Sequence, residues 1–395
     1  MSASPPVLSL FSYAHGSEAE RVAHLRALWA DYGATLVDTF LIRFGDTLRE
    51  RAPSLADALR AFLATGRAIE DPAAFPADLL LACASEQETD PVWAGLAAAL
   101  HVGGAIEPFR AQLSRPRRIR IRSWVSPPLV SFEQRQGTWL IEREDGVRCE
   151  LAAYDREGHG DARARAYGFS VCPTIRGRWG EIALMTGDHA DTWGFSVNDA
   201  WDSTHTEALS VEAMADALRD ALELIATHAP QYESWVGSAA RIVIPTRHKP
   251  EHDTSHSFVA FPGIVVVGLP TDRGMLGELL VHETSHLHHG AVSKGHTLTT
   301  SDDPQRYWSP FPQAERNVGM LAFGFHAFAN IGLFRRACLA AGLPATGHDF
   351  NWQSDWMPEI LKVCSQLEQS PGVTLEGRTL WEPVAHQLFG GKRWS

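Results

Sequence analysis

The stretch Leu279-Leu280-Val281-His282-Glu283-Thr284-Ser285-His286-Leu287-His288-His289-Gly290 contains one HExxH motif. On a helix, residues at i and i+4 lie one above the other on a single face, so the imidazoles of His282 and His286 can converge on one metal ion. Met275, Leu276, Leu279, Leu280 and Val281 are apolar enough to bury that helix, which brings the histidines to the edge of a core. Gly290 is its expected stop. His288 and His289 are expected as solvated helix-end residues, because the helix dipole favours cations there. His289 shares the face of the pair, but seven residues of helix rise about 10 Å, so one ion cannot be held by both His282 and His289 on a straight helix. A third ligand has to come from elsewhere in the chain.

Composition narrows the class. A chain of 395 residues with 45% hydrophobic side chains can build a large core. A net charge of −12 without a long basic run argues against a nucleic-acid partner. The local patch Arg115-Pro116-Arg117-Arg118 with Arg120 and Arg122 reads as the solvated face of a strand. Cys83, Cys149, Cys172, Cys338 and Cys364 are scattered and form no CxxC, so neither a disulfide framework nor a cysteine-bound zinc is indicated. Met1 to Gly16 lacks the basic-then-apolar order of a signal peptide, and no run reaches the length of a membrane span. A cytoplasmic protein with no membrane partner is the expectation.

Along the chain, residues 1–115 read as a helical N-terminal region. Ser17 precedes the series Val22, Leu25, Leu28, Trp29 and Tyr32; Ser54 and Gly66 bracket another helix; Pro76 and Pro91 open two more. Residues 116–205 read as β-rich: Arg118 to Arg122 alternates, Thr138 to Ile141 and Cys149 to Leu151 flank the turn-like Glu144-Asp145-Gly146, and Tyr154 to His205 carries glycines with Trp179, Trp193 and Trp201. Residues 206–345 form the expected metal-binding catalytic core. There a helix follows Ser210, Arg241 to Pro245 and Ser257 to Gly268 are strands, a long apolar helix starts at Gln313, and the loop between the strands carries His248, His252 and His256. Residues 346–395 are a C-terminal extension. The fold class is α+β, with a central, mostly antiparallel sheet and a helical core carrying HExxH.

Four positions are open for the third ligand. His326 lies on the apolar Gln313 helix, where a histidine needs a partner; Glu315 comes next, then Asp302 or Asp303. His326 could equally be a core histidine bonded to a carbonyl.

The ordered set of Ser257 and Pro262-Gly263, the Leu-Val-His-Glu-x-x-His helix, Tyr307-Trp308-Ser309-Pro310-Phe311, Arg316, and Gly319-Met320-Leu321 through Gly324-Phe325-His326-Ala327-Phe328 resembles the HExxH-motif peptide-modification family. The resemblance covers about residues 205–340. It implies an iron(II)- and 2-oxoglutarate-dependent dioxygenase that hydroxylates the β-carbon of a side chain in a ribosomally made precursor peptide. It also implies that Arg316 anchors the distal carboxylate of 2-oxoglutarate, with Arg306, Lys294 and Arg247 as other cations at hand. Where the family carries Gly-Leu-Leu-His-Gly, this chain has Phe323 in the histidine's place, and His326 follows three residues later. The expected iron ligands are His282, His286 and His326, with Glu283 orienting a ligand or bound water. A zinc metallopeptidase with Glu283 as general base is the alternative, although the metzincin pattern fails at His289 and Val292. A peptide-binding protein with a structural metal, or none, is the non-enzymatic reading.

Overall fold

Asp272 starts the HExxH helix by accepting the backbone N–H groups of Gly274 and Met275 with its carboxylate at 2.9 and 3.0 Å. The helix then runs over Arg273–Gly295. The computed structural model describes residues 5–66, 69, 72–77, 79–80, 91–102, 106, 108–121, 124–135, 138–152, 161–185, 210–247, 255–269, 272–301, 303–343 and 356–390. Expectations resting on Cys83, Trp193, Trp201, His248, His252 and Asp302 lie outside them. Two compact units make up the chain: Met1–Leu28, Ile175–Ile182 and Glu212–Ser395 in one, and Trp29–Thr174 with Ala183–Val211 in the other.

The unit without the HExxH helix contains a four-stranded antiparallel sheet. Its strands Phe109–Arg117, Leu129–Arg135, Thr138–Arg143 and Arg148–Ala152 pair in sequence order. The helices Pro53–Thr65 and Pro91–Val102 share one apolar core with this sheet, built from residues such as Leu55, Leu59, Trp93, Leu96, Phe109 and Phe132. Gly66 ends the first helix at φ 58°, a left-handed conformation that glycine adopts without a Cβ penalty. Helical structure was expected to continue to residue 115, yet a strand begins at Phe109. Phe109, Ala111 and Leu113 are buried while Arg110, Gln112 and Ser114 are exposed, a period of two that fits only a half-buried strand. Among the described residues, the alternating arginines downstream form a strand only at Arg120–Ile121, which pairs with Trp124–Val125.

The unit with the HExxH helix has a five-stranded sheet in the order Ser255–Phe258, Phe261–Leu269, Ile242–Arg247, Gly180–Leu184, Thr174–Gly177. Ile242–Arg247 runs parallel to Phe261–Leu269 in the register Ile242 to Ile264, and Ser255–Phe258 runs antiparallel to it. The inner strand is continuously apolar, as burial on both faces requires: Ile264, Val265, Val266 and Val267 are all buried. The chain is thus a mixed α+β protein whose strand pairs are mostly antiparallel.

Two features of this unit differ from expectation. The HExxH helix does not stop at Gly290 but continues to Gly295, because Gly290 is a packing position: a Cβ there would stand 3.2 Å from Val259. The long apolar helix does not begin at Gln313. Gln313 turns at φ 48°, Ala314–Arg316 pairs as a short ribbon with Tyr307–Ser309, and Asn317 caps the helix Val318–Ala340 through the N–H of Met320. This helix has the length and hydropathy to cross a membrane, but 67% of its most apolar window is buried inside the protein.

The C-terminal helices Met357–Gln369 and Leu375–Phe389 pack on Val318–Ala340. Leu375–Phe389 also pins the chain that leaves the HExxH helix: Thr374 N–H donates to Leu298 O, and Gly377 lies so close that a Cβ would sit 2.1 Å from that backbone oxygen. Gly377→Ala should therefore cost at least about 1–3 kcal/mol, measured by chemical denaturation, because a backbone carbonyl cannot swing aside as a side chain can. An unchanged midpoint would show that this contact relaxes freely.

Candidate metal centre

His282 and His286 do what their spacing predicts: the two Nε2 atoms stand 3.1 Å apart. Nitrogens at that distance either share a proton or have both lone pairs aimed at one cation. With metal–nitrogen bonds of about 2.1 Å, the separation corresponds to an angle of roughly 95° at the ion, that of two neighbouring ligands in an octahedral set. Burial holds the pKa of His286 well below the ordinary histidine range, helped by its neighbours His282, His289 and His326. The imidazole is therefore neutral, the form that binds metals.

Glu283 is 2% exposed, and its Oε1 accepts the hydroxyl of Ser255 at 2.6 Å while lying 3.8 Å from His282 Nε2. Ser255 opens the sheet's edge strand, so the sheet fixes the carboxylate beside the histidine pair. Aromatic rings of the Val318–Ala340 helix close around the pair. Phe323 lies flat on His286 at 4.0 Å between centroids and 14° between planes, and Phe328 meets His282 edge-on at 4.9 Å. Phe328 in turn stacks on Phe311 of the ribbon turn at 3.7 Å and on Trp356 at 5.2 Å.

The other sequence candidates go elsewhere. His326 is fully buried, and its Nε2 donates to the carbonyl of Phe11 at 2.8 Å. That bond fixes the tautomer and leaves Nδ1 as a lone pair, buried and without a hydrogen-bond partner. His326 lines a cavity of about 10 Å³ with His289, Ala322, Leu380 and Trp381. On a helix three residues turn by about 300°, so with Phe323 over the pair, His326 points to the N-terminal segment. Glu315 is exposed on the ribbon opposite Trp308, and Asp303 is engaged by Tyr307 Oη at 2.7 Å and Ser370 Oγ at 2.6 Å. His256 is exposed on the edge strand. Among the described residues, no group of three His, Cys, Asp or Glu side chains is placed to hold a metal ion. The pair fits an ion as two of its ligands; the described residues do not complete a three-residue set.

Arg316 sits in the ribbon rather than in the first turn of the helix, half-buried opposite Tyr307, and makes no ion pair with a described residue. Arg306 donates to Glu315 O at 3.1 Å.

His288 and His289, expected in solvent, are buried: the ring of His288 packs on Trp235 and Phe11, and that of His289 on Phe323 and His326. His288 Nε2 bonds Trp235 O at 2.9 Å, and Trp235 Nε1 donates to Ser285 Oγ at 3.1 Å. Ser255 and Trp235 were missed in the sequence. Ser255 had a weak signal, since it shares one strand face with Ser257; Trp235 had none, because its partners are 50 and 53 residues away.

No protein-family model matches this chain, and no curated protein matches it.

Burial lowers the pKa of His326 to about 4, against the opposing pull of its carbonyl neighbours Phe11, Ser285 and Ser12. An unfolded histidine titrates near 6.5, so between pH 6.5 and about 4 the unfolded chain binds the additional proton. Stability present above pH 6.5 is then lost as the pH falls, at about 1.4 kcal/mol per pH unit for this one group. His326→Leu should flatten the acid limb of stability by that slope and, with Phe11 O left unpaired, cost about 1–3 kcal/mol at neutral pH. Its metal stoichiometry should equal that of the native chain; loss of the ion would make His326 a ligand after all.

Proposed function

We propose that this chain is a metal-dependent, peptide-modifying enzyme, and specifically an iron(II)- and 2-oxoglutarate-dependent β-hydroxylase of a ribosomally made precursor peptide. The observation that carries the reading is the convergence of His282 and His286 at 3.1 Å beside a carboxylate held in place by Ser255. Its chemical class comes from the sequence resemblance over residues 205–340.

His282 and His286 would hold the iron. Iron with 2-oxoglutarate and dioxygen, when bound, supplies the oxidising equivalent that replaces a side-chain hydrogen by hydroxyl as the keto acid becomes succinate and carbon dioxide. Phe323 and Phe328 shield the imidazoles from water, and the stacked Phe311 and Trp356 extend that apolar wall. A dry wall strengthens every charge interaction in the site and limits uncoupled oxidation. Glu283 is fixed through Ser255 and orients what lies next to His282. Arg316 offers a planar cation for the distal carboxylate of the keto acid.

One observation favours the zinc peptidase reading: Glu283 Oε1 is near enough to His282 Nε2, at 3.8 Å, to act on a bound water. The two readings separate on one variant. Glu283→Gln should leave more than about a tenth of succinate formation in the oxygenase, whereas removing a general base costs a peptidase roughly 10²–10⁴-fold. The decisive assay follows succinate and peptide mass together, with iron(II), 2-oxoglutarate and air. Succinate formed with a one-oxygen mass gain, and lost in His282→Ala and His286→Ala, is the expected result. Zinc-dependent peptide cleavage indifferent to 2-oxoglutarate would refute the oxygenase.

A further inference from the structure

We infer that Phe323 occupies the place of a third protein ligand, so that, among the described residues, His282 and His286 alone hold the ion. This rests on the metal-binding part of the reading above, and on nothing about the reaction.

Three observations converge on position 323. Its ring lies nearly parallel to His286 at 4.0 Å and meets His289 edge-on at 5.2 Å, so this side chain fills the ground beside the pair. His326, one turn further along the same helix, is turned away and spent on the Phe11 carbonyl at 2.8 Å. No third His, Cys, Asp or Glu among the described residues completes the group. A side chain growing from Cβ of residue 323 reaches His286; a phenyl ring there has no donor atom.

The surroundings of His286 agree with a lightly held ion. A metal on Nε2 leaves the proton on Nδ1, and in tuned centres that N–H is taken by a carbonyl or carboxylate. His286 Nδ1 is buried and has no hydrogen-bond partner. Its ring is instead oriented by the face of Phe323. The aromatic contact replaces the hydrogen bond that would raise the basicity of the ligand, and the same side chain withholds the third donor. More of the ion's coordination positions are thereby left to small molecules than in a three-residue centre.

The test counts protein nitrogens on the ion. Copper(II) is loaded into the full-length native chain and into Phe323→His, and the coordinated imidazoles are counted by electron paramagnetic resonance while affinity is measured by calorimetry. Two imidazoles in the native protein are expected, and three in Phe323→His. The added ligand should tighten binding by more than the roughly 10–100-fold that outer hydrogen-bond partners alone are worth. Phe323→Leu, which removes the ring and adds no donor, should remain at two. Three imidazoles on the native protein overturn the inference, as does a folded Phe323→His variant that gains neither a nitrogen nor affinity. If that variant does not fold, the native count decides alone. Absence of bound copper in both folded proteins, with His282→Ala no different, would refute the metal reading itself.

Discussion

A helix buried on almost every side cannot leave its polar groups in water, and the HExxH helix meets this constraint residue by residue. Thr284 and Ser285 return their hydroxyls to the carbonyls of Leu280 and Val281 at 2.6 and 2.7 Å. Ser285 also receives the indole N–H of Trp235, whose carbonyl bonds His288. Glu283 is matched by Ser255, and Glu278 by Arg335 from the neighbouring helix. An unpaired buried donor or acceptor costs about 1–3 kcal/mol, so these pairings dictate which elements lie against which face. The Nε2 atoms of His282 and His286 are turned toward each other at 3.1 Å. Function, on this view, occupies the remainder of a structural obligation.

Local chemistry in the sequence made much of this legible. The i and i+4 spacing of His282 and His286, the helix after Ser210, the strands around Glu144-Asp145-Gly146 and the stop of one helix at Gly66 all depend on near neighbours, whereas Ser54, expected as that helix's cap, lies inside it after Ala52 and Pro53 and bonds the backbone of Arg110. What could not be read depends on distance. Nothing in the residues around His326 says that its partner is a carbonyl 315 positions earlier, or that Gly290 is small because Val259 needs the space. Arg316 was misplaced because a strong apolar helix pattern was extended backwards across Asn317, a capping residue that itself marks the boundary.

Phe323 is the instructive intermediate case. Phe323 was visible as a letter, but the meaning of that letter needed geometry: the half-buried ring lies flat on His286 at 4.0 Å. The same helix presents Phe328 to His282, so both imidazoles are gripped from one side by hydrocarbon. Dispersion and shape complementarity of Phe323 and Phe328 contribute to holding the two rings in place.

The N-terminal segment carries a consequence for how the molecule is made. Phe11 and Ser12 give their carbonyls to His326 and Asn330, and the hydroxyl of Ser12 accepts the backbone N–H of Val384, which follows Pro383 inside the last helix, a span of 372 positions. Contacts so remote in sequence close only after the entropy of nearly the whole chain has been spent, and they slow folding accordingly. During synthesis the first residues emerge long before their partners exist. The unit that holds the HExxH helix therefore reaches its native packing only after Val384 has been made, with Phe11 and Ser12 among its last residues to be fixed.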